Sequence, residues 1–271
     1  MNPRALLLWS AAALVVDLAS NDPLYRALVV LVALDVLAAR LPAERSLRPT
    51  LIAASLFGAL AVGLNALLSH SGVHVLAVLP EAWPLVGGPL TAESVAYGAD
   101  VALGLVGAVL AVAPVSLVLE PHELIDALPA RLERSGLVLA VALNLVPGIG
   151  RTALAVRDAE RMRGWRPRGP RSWADILVPT MLSAIEDALA LAEAMEARAY
   201  GSVARTRFAS APWHARDRVA VGAAWAAVAL FLVARLAGGT PDWQPYPAIT
   251  MPPLDPVLVA ACLLLAVPAL P

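Results

Sequence analysis

Long apolar stretches alternate with short polar breaks along this chain, and the pattern predicts helices that cross a membrane. A helix needs roughly 17 to 25 mostly apolar residues to span the hydrocarbon layer. Five stretches of about that length are the candidates, at 4–19, 24–40, 50–69, 97–119 and 218–237, and a sixth at 255–270 is bracketed by Pro256 and Pro268. The first lies almost at the N-terminus, yet Ala5 to Ala19 is interrupted only by Ser10 and Asp17 and lacks a small-residue cleavage site. It is expected to be kept as a span rather than removed as a signal peptide.

The stretch between the fourth and fifth spans reads differently. Leu137 to Ile149 is apolar but too short to cross unaided. It is expected to be an interfacial or bundle-packed helix that ends at Pro147-Gly148, where proline and glycine break the pattern. From Gly150 to Gly164 the residues Leu154, Ala155, Ala159 and Met162 recur at helical spacing, with Arg151, Arg157, Asp158 and Arg161 largely on other faces. Gly164 provides a stop, and Arg166-Pro167-Arg168-Gly169-Pro170-Arg171 is too rich in Pro and Gly to continue a helix. A second amphipathic helix is predicted from an N-cap at Ser172, with Asp175 three residues on, to a C-terminal cap at Gly201. Its apolar face would hold Ile176, Met181, Ile185, Leu189, Ala192 and Met195, and Pro179 would kink its first turns.

Composition sharpens the class. With 59% hydrophobic and 15% charged residues, no single compact soluble core could bury so much apolar surface, whereas a bilayer can. All 20 basic residues are Arg, and 14 of them lie between Arg131 and Arg218. Cytoplasmic loops retain positive charge. The loop with Arg40, Arg45 and Arg48 is therefore expected inside, the N-terminus inside, the Arg-free loops His70–Ala96 and Gly238–Leu254 outside, and Glu120–Asp217 cytoplasmic or interfacial. A crossing at 137–149 would carry the Arg-dense stretch Arg151–Arg171 through the membrane, against that rule. The expected fold is an all-α polytopic membrane helix bundle with two long cytoplasmic helices. Its parts would be N-terminal spans in 1–119, a cytoplasmic or interfacial region in 120–216, and C-terminal spans in 217–271.

Few residues invite catalytic chemistry. Cys262 is alone, so no disulfide or thiolate metal site can be assembled within the chain. His70 and His74 have the spacing of two ligands on one helix face, but Ser71-Gly72 lies between them without an H-E-x-x-H context; no metal or cofactor is assigned. Without Lys there is no G-x-x-x-x-G-K-[ST] phosphate loop. Nucleic acid is not an expected partner, because between Glu120 and Arg218 the 14 Arg are offset by 12 acidic residues; the basic residues instead suit anionic lipid of the bilayer. Ionisable groups in apolar spans point to function by default. Asp17 and Asp100 fall near span ends and read as interfacial carboxylates, which leaves Asp35 as the one to watch. Trp9, Trp83, Trp213, Trp225 and Trp243 read as belt or span residues, while Trp165 and Trp173 flank the Arg-rich linker and could pack its two helices together. Gly58, Gly63, Gly104 and Gly107 permit close helix contacts.

Both amphipathic helices end in a similar tripeptide, Met162-Arg163-Gly164 and Ala197-Arg198-Ala199. An Arg at a helix C-terminus complements the carbonyl end of the macrodipole, and that alone would account for either one. The functional reading adds an acidic groove on a partner, which a guanidinium can grip bidentately. At these residues the chain resembles the T-component family of energy-coupling factor importers, which carry two Ala-Arg-Gly motifs at the ends of two cytoplasmic coupling helices. The runs Asp158–Gly164 and Leu191–Gly201 share the family's phase; Asn2-Pro3-Arg4, Pro121-His122-Glu123-Leu124 and Pro147 match more weakly. Met162 replaces the first Ala and Ala199 the second Gly, which places the backbone turn at Ala199 in question, with Gly201 as a substitute.

The resemblance implies a non-catalytic membrane subunit without cofactors. It would bind two cytoplasmic ABC ATPase subunits through Arg163 and Arg198, with Gly164, Ala197 and Ala199 beside them, and also a separate substrate-binding membrane subunit for a vitamin or metal ion. Two other classes compete: an intramembrane enzyme, and a self-sufficient secondary transporter. The latter would show inverted repeats and helices broken at mid-membrane, and neither is visible in the sequence.

Overall fold

In the computed structural model, which describes residues 2–80, 87–120, 123, 133–167, 169–199, 212–237, 243–252 and 254–269, the long apolar stretches are helical. The helices are α1 (Pro3–Ala19), α2 (Pro23–Arg40), α3 (Arg48–Leu68), α4 (Ala92–Val118), α5 (Glu133–Met162), α6 (Ala174–Ala197), α7 (Ala215–Leu236) and α8 (Pro256–Leu264). Several start the same way. Asn2, Asp22 and Asp255 each accept a hydrogen bond from the amide two residues on, at 2.8–2.9 Å, and each is followed by proline at the first helical position. The side chain satisfies an orphan donor, and proline has none to lose. Thr91 caps α4 through the Ser94 amide.

The chain divides into two compact units, Met1–Glu120 with Ala211–Pro271, and Pro121–Ser210. In the first, α3, α4 and α7 are long and apolar enough to cross a membrane. The 17-residue α1 and the more charged α2 both pack against α4. This is an all-α polytopic membrane protein. Its core joins Trp9, Val36, Leu110, Phe231 and Leu258 from α1, α2, α4, α7 and α8. By contrast α3 buries little beyond Ala54, Gly58 and Ala61, which it turns toward α4, and leaves Ile52, Leu56, Phe57 and Leu60 exposed for lipid or protein to cover. A side chain at Gly98 would press on the backbone of Val62, which is why α3 and α4 can lie so close. At Gly63, in contrast, nothing lies within 4 Å.

Four expectations change or narrow here. Trp9 follows the span alternative and not the belt: it is wholly buried in α1 and donates through Nε1 to the Leu265 carbonyl at 2.9 Å. The stretch 255–270 is not one crossing helix, because α8 has nine residues, about 14 Å of axis, before a 3-10 turn at Val267–Ala269. Its end is held by Arg40, whose Nη2 donates to the Pro268 carbonyl at 2.7 Å. The loop His70–Ala96 contains an antiparallel hairpin, β1 (Val75–Leu79) with β2 (Gly88–Thr91), that the polar pattern does not announce. Asp17 is deeply buried rather than interfacial.

In the second unit α5 and α6 pack on each other, joined through a 3-10 turn at Pro170–Trp173. The predicted break at Pro147-Gly148 is absent: α5 runs for 30 residues straight through both. Proline costs one i to i−4 bond there, and the turns on either side carry the helix on. Ser172 is not the N-cap of α6; it sits in the 3-10 turn, and Trp173 holds the cap position without a side-chain bond. Only Ile176 and Thr180 of α6 are buried, so Met181, Ile185 and Leu189 lie exposed rather than against α5. Gly201, Trp83, Pro121, His122 and Leu124 lie outside the described residues.

Candidate partner-binding tips

Both tripeptides place a left-handed residue just beyond an Arg at the end of a helix. Arg163 follows the last residue of α5, and Gly164 after it has φ +85°. The Trp165 amide donates to the Glu160 carbonyl at 2.9 Å, and the Gly164 amide to Arg161 at 3.0 Å. These are the two bonds of a Schellman motif, with Arg163 at the C-cap and Gly164 in the left-handed position beyond it. Arg198 is likewise the C-cap of α6. Ala199 beyond it has φ +54°, and its amide donates to Glu196 at 2.8 Å. The left-handed turn therefore falls on Ala199 itself, despite the steric cost to a residue with a Cβ.

Each cap projects its Arg outward. Arg163 is 76% exposed along its side chain, and its Nη1 lies 2.9 Å from Oε1 of Glu160, one turn back. A surface pair of this kind is weak and exchanges readily for a better partner. Arg198 is exposed, and its guanidinium has no hydrogen bond or ion pair among the described residues. Trp165 donates through Nε1 to Oδ2 of Asp175 at 2.9 Å, which fastens the first tip to the start of α6. Trp173, in contrast, is exposed. The second tip lies at the far end of α6 from that fastening, and the 24 residues of α6 give an axis of about 36 Å. Two such sites suit two separate grooves.

The first unit holds a buried charged network that the sequence pattern underrated. Arg26 Nη1 lies 2.5 Å from Oδ2 of Asp100 and 3.1 Å from the Asp100 carbonyl. Asp17 is 1% exposed, and among the described residues neither of its carboxylate oxygens has a hydrogen-bond partner. Two glycines of α4 make room: a side chain at Gly104 would meet the Arg26 guanidinium, and one at Gly107 would collide with the Asp17 carboxylate. Spacing hinted at this, since Gly104 and Gly107 lie one turn apart, but nothing in it pairs them with α1 and α2. Asp22, in the turn between α1 and α2, has its carboxyl pushed up by burial, against the Leu24 amide that favours the charged form. Asp35 stands apart, exposed on α2.

The two loop histidines do not form a pair. His74 binds Glu93, with Nδ1 2.6 Å from Oε1, and the His70 ring lies against Gly88. Among the described residues no three of His, Cys, Asp and Glu come together in a way that could hold a metal ion.

The family described as CbiQ, cobalt transport protein, matches residues 1–208, a stretch that includes α1 to α6 and both Arg tips. The chain belongs to the CbiQ family. It is also similar to two proteins named energy-coupling factor transporter transmembrane protein EcfT. That of Lactobacillus helveticus is 33% identical over 106 residues, 36% of this chain and 38% of the relative. That of Streptococcus thermophilus is 34% identical over 93 residues, 32% of this chain and 35% of the relative. The matched part thus spans little more than a third of either relative's length. As a CbiQ-family member the chain is an EcfT-like membrane protein of a transport system.

Proposed function

We propose that this chain is the transmembrane coupling subunit of an energy-coupling factor importer. Two cytoplasmic ABC ATPase subunits dock on Arg163 and Arg198, each guanidinium entering an acidic groove beside Gly164 or beside Ala197 and Ala199. A separate membrane subunit binds the vitamin or metal ion and packs against the spans. ATP is hydrolysed by the partners, and this chain carries their motion to the substrate subunit without catalysis of its own. In this reading the N-terminus is cytoplasmic, 120–216 forms the coupling region, and 1–119 and 217–271 hold the spans.

The observation that carries the reading is the pair of caps: two exposed Arg, each followed by a residue in the left-handed conformation, at the ends of the two packed helices. Macrodipole complementation would account for one such Arg, but it does not call for a repeated left-handed turn that holds both clear of the surface. Detergent co-purification of the ATPases tests it, with wild type compared against Arg163→Glu, Arg198→Glu and the double variant. ATPases should co-purify with wild type and be lost from the double variant, while its elution profile and thermal midpoint stay unchanged. Retention by the double variant, or no ATPase on the wild type, overturns the proposal.

A further inference from the structure

Helical spacing divides α2 into two faces. Val29, Val32, Ala33, Val36 and Leu37 are buried in the core, while Leu31, Asp35, Ala38 and Ala39 are exposed. The helix is 18 residues long, about 27 Å, and packs along α4, which is long and apolar enough to cross a membrane; read as a span beside it, α2 turns its exposed face to hydrocarbon. Asp35 stands about 7 Å inside the Arg40 end of that axis and about 18 Å from Pro23. A carboxylate has one methylene, so it lacks the reach by which Arg draws its charge to the headgroups.

Asp35 is also without a partner at home. Among the described residues no hydrogen bond or ion pair reaches it. Arg40, the basic residue one and a half turns on, is committed through Nε and Nη2 to the Pro268 carbonyl, at 3.1 and 2.7 Å. Ionisable groups at membrane depth are costly and face protein or water rather than lipid. A lipid tail offers no donor. A second copy meeting the same face about a two-fold axis would set Asp35 beside Asp35, like charge to like.

We propose that the Leu31–Asp35–Ala38 face of α2 docks a transmembrane helix of the substrate-binding membrane subunit, and that this helix gives Asp35 a donor from an Arg, Lys, amide or hydroxyl side chain. Ala38 and Ala39 let the two backbones approach closely. The inference rests on the coupling-subunit reading and adds to it a location and a chemistry for the second interface.

The test places a photoreactive benzoylphenylalanine at Leu31 in the full complex, in host membranes, with ATPases and membrane partner read separately. The adduct should be a membrane subunit, joined through a span that carries one of those donors. Asp35→Leu should lower recovery of that subunit about three- to tenfold, as loss of an interhelical polar bond does, and Asp35→Asn should lower it less, while ATPase recovery and thermal midpoint hold in both. Adducts with lipid or a second copy alone, no protein adduct, or full recovery of the membrane subunit with Asp35→Leu would overturn the docking face and leave the ATPase result standing. Absence of ATPases from wild type would instead strike the coupling reading.

Discussion

Exchanging the third residues of the two tips tests whether backbone geometry places the two Arg. Gly164 and Ala199 both occupy left-handed turns, at φ +85° and +54°. A residue with a Cβ is disfavoured there by about 1–2 kcal/mol. Glycine returns part of that advantage, because its unfolded chain is freer by about 0.4–1 kcal/mol. The net is about 0.5–1 kcal/mol in favour of glycine at either position, roughly a two- to fivefold change in the local opening equilibrium by RT at 25 °C. Ala199→Gly should slow hydrogen exchange of the Ala199-position amide by that factor. Gly164→Ala should speed exchange of the Gly164 and Trp165 amides, which donate to Arg161 and Glu160. Peptide-resolved exchange mass spectrometry on the purified protein reads both. Equal protection in wild type and both variants, or a loss of protection in Ala199→Gly, would refute the idea that both caps turn on a left-handed residue under different strain.

Two further outcomes follow from the network between α1, α2 and α4. Asp100→Leu should lower stability by about 3–5 kcal/mol, because Arg26 is left as an unpaired, mostly buried charge, whereas Arg26→Met with Asp100→Leu should recover most of the loss; thermal unfolding in detergent decides it, and a double variant as unstable as the single one refutes it. The Asp22 carboxyl is pushed up by burial, so the folded state holds its proton more tightly than the unfolded chain, and its contribution to stability declines as pH rises from 3.8 through the folded value. Asp22→Asn, an equally good cap, should therefore be at least as stable as wild type at pH 7 and lose that slope, while Asp22→Ala costs about 1 kcal/mol for the Leu24 bond; an Asn variant as weak as Ala in the same assay counts against this.

The helices of the first unit were legible because a bilayer imposes one requirement, an apolar run of sufficient length, and the runs ending at Leu68, Val118 and Leu236 state it without tertiary help. What escaped the pattern depends on contacts. Trp9 reads as belt or span until the Leu265 carbonyl, far away in the chain, is found to hold its indole. Asp17 reads as a span-end carboxylate because the space made for it is written in α4, at Gly107. Pro147 is a breaker by local rule, yet one missing bond does not end a helix whose neighbouring turns persist. At the tips the residues were visible and the geometry was not. Gly164 announces its own turn, but a positive φ at Ala199 contradicts the local preference of alanine.

The proline inside α5 changes what that helix can do mechanically. From Pro147 to Met162 is 15 residues, an arm of about 22 Å. The bond missing at its base, beside Gly148, makes one soft joint in an otherwise stiff rod. A bend of about 10° there would carry the far end through roughly 4 Å, about three-quarters of a helical turn. Force applied at Arg163 would then be returned as rotation at Pro147, so the residue that threatens the helix would serve as its fulcrum.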